Sequence, residues 1–210
     1  EETELDPGGD EEHRAWRERR EGAIRAASRP RHRASSITKL AHERVEQTPD
    51  ALPPDLEIVE TDVARDGRPR GSRFGTLVHA VLSLAPFDAR RDQLDAIAAG
   101  QALVLGATEQ ERRAAVDAVA AALRHGLMAA AATSPDCRRE VPLAVVLDDG
   151  QIAEGIADLV FWEGARWRVV DFKTDAELTD LRAYAAQLAL YRRAIEEATG
   201  DDVVATLLRV

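Results

Sequence analysis

The sequence predicts a mixed α/β sandwich built around a central sheet, and three patterns carry that expectation. Arg138–Leu147, Gln151–Trp162 and Trp167–Phe172 are short apolar stretches separated by Asp148-Asp149-Gly150 and Glu163-Gly164-Ala165-Arg166, turn sequences that close hairpins into a meander. Leu181, Tyr184, Leu188, Tyr191 and Ile195 recur at helical spacing through Leu178–Thr199; Gly200 follows as a helix stop, and Val203–Val210 supplies a last strand. Ahead of the meander, Phe74–Ala85, Gln93–Gly106 and Glu109–Ala132 are apolar or Ala-rich with helical periodicity. Helix, meander, helix and strand in that order suit helices packed on a sheet.

A chain of 210 residues suits one domain with an appended arm and is long enough to bury a real core. Residues 1–12 hold seven acids and no base, whereas residues 13–44 hold ten bases against three acids. An acidic tail therefore precedes a basic arm, and the net charge of −10 does not exclude a polyanionic partner, because binding depends on local patches. Glu1–Asp10, with Pro7-Gly8-Gly9, is expected to be disordered or a linker, and Glu11–Arg29 an exposed charged helix or one docked on a partner. Residues 1–34 are thus set apart from a domain spanning 35–210.

Within that domain, Ser35 or Ser36 offers the N-cap of a short helix through Ile37, Leu40, Ala41 and Val45. Thr48–Gly71, with Pro49, Pro53, Pro54 and Pro69, is expected to wrap the surface without regular structure. The helices at about 90–132 form an insertion before the sheet and carry no evident chemistry. His13, His32, His42 and His125 lack any motif context and are taken as surface residues. Cys137, the single cysteine, excludes an internal disulfide, no stretch reaches the length of a membrane span, and no signal-peptide pattern opens the chain. A cytoplasmic setting follows most simply, and a start at Glu1 instead of Met is expected of a piece of a longer chain. No Gly-x-x-x-x-Gly-Lys-[Ser/Thr] loop is present, so these residues are not an ATPase motor.

Chemistry concentrates in Glu154–Asp175, where two apolar strands each carry a carboxylate. Strict alternation puts Ile156, Asp158 and Val160 on one face, and Val169, Asp171 and Lys173 on one face of the next strand. A carboxylate buried in such a strand is costly unless it is paired or holds a metal. With matching register, Asp158 and Asp171 converge on one hard divalent cation, and Lys173 sets a positive charge beside it. That arrangement suits a phosphodiester under attack. The plain alternative is a strand ending at a solvated Asp-x-Lys pair. Only two of the 28 basic residues are lysines, and Lys173 is one of them. Glu154 lies too far along its strand from Asp158 to share an ion.

Gly155-x-x-Asp158-Leu159-Val160-Phe161, then Val170-Asp171-Phe172-Lys173-Thr174-Asp175, then Tyr184-x-x-Gln187-x-x-x-Tyr191 resemble the nuclease domain of the RecB and AddA helicase–nucleases, in the PD-(D/E)XK superfamily. The resemblance runs from about Ser36 to Val210. It implies a restriction-endonuclease-like core in which Asp158 and Asp171 hold Mg²⁺ or Mn²⁺, joined by the Phe172 backbone carbonyl and by His79 of Gly75-Thr76-Leu77-Val78-His79. It further implies Lys173 as the catalytic lysine, Glu140 near the metal, and Gln187, Tyr191 and Tyr184 as supporting or substrate-contacting residues, although Tyr184 also suits ordinary core packing. The four-cysteine iron–sulfur staple of some relatives is absent. DNA as substrate, a helicase motor as partner, a nucleoid setting and double-strand-break repair complete what the resemblance implies. A nuclease-like module that binds DNA or a partner without catalysis is the rival reading, and nothing in the sequence separates DNA from RNA.

Overall fold

The computed structural model describes residues 7–28, 33–47, 56–174 and 180–210. Along the chain run α1 (Pro7–Ala27), β1 (Ala34–Ser36), α2 (Ile37–Gln47), β2 (Leu56–Glu60), α3 (Ser72–Leu84), α4 (Arg91–Leu105), α5 (Glu109–Arg124), α6 (Gly126–Thr133), β3 (Cys137–Val146), β4 (Ile152–Trp162), β5 (Trp167–Lys173), α7 (Leu181–Thr199) and β6 (Val203–Arg209). The strands form one mixed sheet in the order β1-β4-β5-β6-β2, with β3 pairing β4. β3, β4 and β5 are the expected antiparallel meander, turned at Gly150 and Gly164, whose φ values of 79° and 92° favour glycine. β5, β6 and β2 are parallel, so their carboxyl ends, at Lys173, Arg209 and Glu60, lie together.

Helices cover both faces of the sheet. On one, α3, α4, α5 and α6 pack Phe74, Leu77, Val81 and Val119 against Leu159, Phe161, Val170 and Leu208. On the other, Ile37 of α2 and Leu188, Tyr191 and Ile195 of α7 meet Val145, Val160, Val169 and Leu207. The side chains of α1 from Glu11 onward are exposed apart from half-buried Ala15 and Gly22. Among the described residues no single helix is long and apolar enough to cross a membrane.

Five expectations are corrected. Pro7–Asp10 is not linker but the first turn of α1, and residues 1–6 lie outside the described residues. Leu56–Glu60 is not an irregular wrap but the edge strand β2, held by its register with Ala205–Arg209; Pro49, Pro53 and Pro54 lie outside the described residues. Ser36 does receive the Lys39 N–H, at 3.2 Å, as an N-cap should, but Ala34–Ser36 also pairs with the start of β4 as β1. Glu109–Ala132 is two helices, because His125 is extended at φ −67° and ψ 141° and its ring nitrogen accepts from the Leu127 N–H, so His125 is a half-buried cap and not a plain surface residue. Finally, Ile156, Asp158 and Val160 do not share a face. Ala153 and Ala157 pack in the same core as Val160, while Leu159 and Phe161 pack in the opposite one, so the alternation of β4 slips by one residue at Asp158.

The slip is matched across the pair. Arg139↔Leu159 and Val141↔Ala157 bracket Glu140 opposite Asp158, and Glu140 has φ 51°, a conformation uncommon for a residue with a side chain. There the far edge of β4 also forks: β1 pairs with Ile152–Glu154 and β5 with Leu159–Trp162, leaving Gly155–Asp158 between them. Gly155 admits the close approach of α2 and α7, since a Cβ there would stand 2.9 Å from Tyr191 Cε1 and 3.2 Å from Ile37 Cβ.

Candidate active site

At the fork, side chains take over bonds that strand pairing would otherwise make. The last recorded β4–β5 pair is Leu159↔Val170, which places Asp158 opposite Asp171 one step further on. Asp158 accepts the Phe172 backbone N–H on Oδ2 at 2.7 Å, so its carboxylate serves as a strand partner. An extended residue directs its N–H and C=O to the same side, and the Phe172 carbonyl therefore faces this gap. Ile156, left without a strand partner on that side, has its carbonyl bound by the Tyr191 hydroxyl at 2.8 Å.

The remaining residues converge on these two aspartates. His79 of α3 brings Nδ1 to 3.1 Å from Asp158 Oδ1, and its ring meets Phe172 edge-on at 6.2 Å. A neutral ring making that bond carries its proton on Nδ1 and keeps Nε2 as an acceptor. Asp171, only 3 % exposed, accepts from Gln187 Nε2 on Oδ1 at 3.3 Å. Gln187 Nε2 also donates to Tyr191 Oη at 3.0 Å, so both amide hydrogens are used and the amide orientation is fixed. Lys173 Nζ stands 2.5 Å from Asp171 Oδ2 and 4.7 Å above the Tyr184 ring, an ion pair steadied by an aromatic face.

Electrostatics make this corner unusual. Burial pushes the Asp171 carboxyl up to about 6; Lys173 opposes the rise, and the negative charge of Asp158 adds to it. Burial works against protonation of His79, but the bond and charge of Asp158, with Asp171 behind it, leave the ring with a net raised pKa. Glu140, exposed on the strand edge, is also raised, by partial desolvation and by Asp158.

These residues fit a divalent cation by their chemistry. Asp171 Oδ2 is buried and lacks a properly directed hydrogen bond despite the nearby ammonium, and two carboxylates beside an imidazole and a gap-facing carbonyl are hard donors of the right kind. The ammonium of Lys173 is set against that oxygen, and at 2.5 Å it is the contact that counts. Among the described residues no three His, Cys, Asp or Glu side chains stand together as a ready cage. His79, Asp158 and Asp171 meet only pairwise, with Asp158 engaged by His79 and Phe172.

Of the residues expected from the sequence, Asp158, Asp171, Lys173, Phe172, His79, Gln187, Tyr191 and Tyr184 come together, and Glu140 lies alongside. Glu154 is exposed, and Asp175 lies outside the described residues. Unforeseen were the strand-partner role of Asp158, the Ile156 carbonyl as anchor for Tyr191, and the packing role of Gly155. A glycine inside a strand is the one advance signal among these.

A family profile described as the PD-(D/E)XK nuclease superfamily matches residues 54–210. The comparison with curated proteins found no match. The profile spans most of the chain and contains both aspartates, the lysine and the helices that orient them: the chain belongs to the PD-(D/E)XK nuclease superfamily.

Proposed function

We propose that the chain is a divalent-metal-dependent DNA nuclease that hydrolyses phosphodiester bonds. The observation that carries the reading is Asp171, buried opposite Asp158 with Oδ2 held against the Lys173 ammonium at 2.5 Å. Asp158, Asp171, His79 and the Phe172 carbonyl would hold Mg²⁺ or Mn²⁺. Such an ion, when bound, supplies positive charge against the phosphoryl oxygens and acidifies water.

The chain's own groups divide the remaining work. Gln187 holds Asp171 Oδ1 and turns Oδ2 toward the gap, while Tyr191, anchored on the Ile156 carbonyl, keeps Gln187 in place. Asp158 orients His79 and closes the fork by binding the Phe172 N–H. Lys173, a compact ammonium pinned between Asp171 and Tyr184, orients the attacking water or stabilises charge growing on the phosphoryl group. Tyr184 and Glu140 would brace the substrate side, whereas Tyr191, buried in the core, acts only through Gln187.

The finer reading is a RecB- or AddA-type domain that receives DNA from a helicase motor and acts in double-strand-break repair at the nucleoid. What supports it is the order of the three sequence blocks. A labelled single-stranded DNA incubated with the protein in Mg²⁺ or in chelator tests the core of the proposal. Cleavage that depends on the ion is expected. Cleavage undiminished by chelator, or none with any divalent ion, would contradict it, and an RNA of the same sequence in parallel decides between the two substrates.

A further inference from the structure

A set of arginines at the carboxyl ends of β5, β6 and β2 has no part in the chemistry above. Arg68, in the loop between β2 and α3, donates from Nη2 to the Thr174 carbonyl at 2.6 Å, which fixes its guanidinium one residue beyond Lys173. Its plane lies over the Phe74 ring, 5.3 Å from the centroid. The other terminal nitrogen, Nη1, is buried and has no hydrogen-bond partner among the described residues. No described carboxylate pairs with Arg68. Glu60, at the end of β2, is engaged by Arg65 at 3.4 Å and by Arg209 at 2.7 Å. Arg65 also donates to the Thr61 and Arg209 carbonyls, at 3.3 and 3.2 Å, and its Nε is likewise buried without a partner.

A guanidinium that is held rigidly, half-desolvated and without an anion among the described residues is costly as it stands. Partial burial and the charges of Arg65 and Arg209 lower the Arg68 pKa, in keeping with local positive charge that no acid among the described residues pairs with at Arg68. The bond to Thr174 uses only one of the terminal nitrogens, and an apolar residue would cover Phe74 as well, so neither contact accounts for Nη1. An anion would complete the arrangement. Arg presents planar N–H donors matched to phosphate oxygens, and the carboxyl ends of parallel strands are where open α/β sheets take ligands.

We infer that Arg68 Nη1, with Arg65 behind it, forms a phosphate subsite that grips a backbone phosphodiester of the nucleic-acid strand next to the one at Asp171 and Lys173. The inference rests on the nuclease reading, and its consequence is that the strand crosses the ends of β5 and β6 on the side of the β2–α3 loop. Arg68 is then a binding residue and takes no part in bond cleavage.

Equilibrium binding separates this from catalysis. Fluorescence anisotropy of a labelled single-stranded oligonucleotide, in chelator and over a range of salt, would compare wild type with Arg68→Gln, Arg68→Lys and, as a control on an exposed neighbouring guanidinium, Arg70→Gln. Arg68→Gln is expected to weaken binding on the order of tenfold and to flatten the log–log salt slope by about 0.7. Arg68→Lys should keep the slope and lose part of the affinity, and Arg70→Gln should do less than Arg68→Gln. If Arg68→Gln does not fold, as judged by its thermal midpoint, the Arg68→Lys comparison carries the test. Equal binding by wild type and the Arg68 variants, no binding by wild type, or an equal loss in Arg70→Gln would overturn the subsite. Failure of the nuclease reading would appear elsewhere, as absence of metal-dependent cleavage by a protein that still binds the strand.

Discussion

Asp171→Asn is expected to lower DNA cleavage at least about a thousandfold, while making the metal-free protein relatively more stable as pH rises. Both effects have one cause. The Asp171 carboxyl is raised from 3.8 to about 6 by burial and by Asp158, against the opposing charge of Lys173. A group raised in the folded state contributes stability that is complete below its unfolded value and is lost as pH climbs through about 6. At pH 7.5 the metal-free wild type should therefore be less stable than at pH 4 on account of this carboxyl and the charges coupled to it. Asparagine cannot ionise, accepts from Gln187 in the same way, and escapes that penalty, but it offers no anionic oxygen to a cation. Urea unfolding in chelator at pH 4 and pH 7.5 gives the stability difference, and single-turnover cleavage gives the activity. A variant with no gain in relative stability on going from acid to neutral pH would refute the assignment of strain to Asp171.

Lys173→Met is expected to cost cleavage about a hundred- to a thousandfold with little loss of fold. Methionine can lie over the Tyr184 ring much as the lysine stem does, so packing is largely kept. What disappears is the ammonium 2.5 Å from Asp171 Oδ2, and with it the positive charge proposed to act on the phosphoryl oxygens. Loss of that cation leaves Asp171 still harder to ionise, so residual activity should also move to higher pH. Cleavage rates measured at saturating Mg²⁺ from about pH 6 to about pH 9 would show both effects. Wild-type rates in the variant would remove Lys173 from the mechanism.

The meander, α7 and β6 could be read from the sequence because short turns and local periodicity specify them. A hairpin loop of four residues, Glu163–Arg166, fixes the register that sets Asp158 opposite Asp171. β1 and β2 could not be read in the same way. They are edge strands of three and five residues whose partners lie far along the chain, so long-range pairing decides them. The slip at Asp158 was hidden because alternation presumes an unbroken pleat, whereas Glu140 takes a left-handed φ beside it. Arg68 sits in a loop with no periodicity, and only the fold brings it to Thr174.

The proposed nuclease reading makes one requirement of the fork, that Asp171 holds a cation. Titration calorimetry with Mn²⁺ at pH 7.5, on wild type and on Asp171→Asn, tests it most directly. The account predicts one or more Mn²⁺ sites in the wild type that vanish or weaken at least about a hundredfold in the variant. A wild type that takes up no Mn²⁺, or a variant that binds it equally well, would contradict the account and favour a nuclease-like module that binds without cutting.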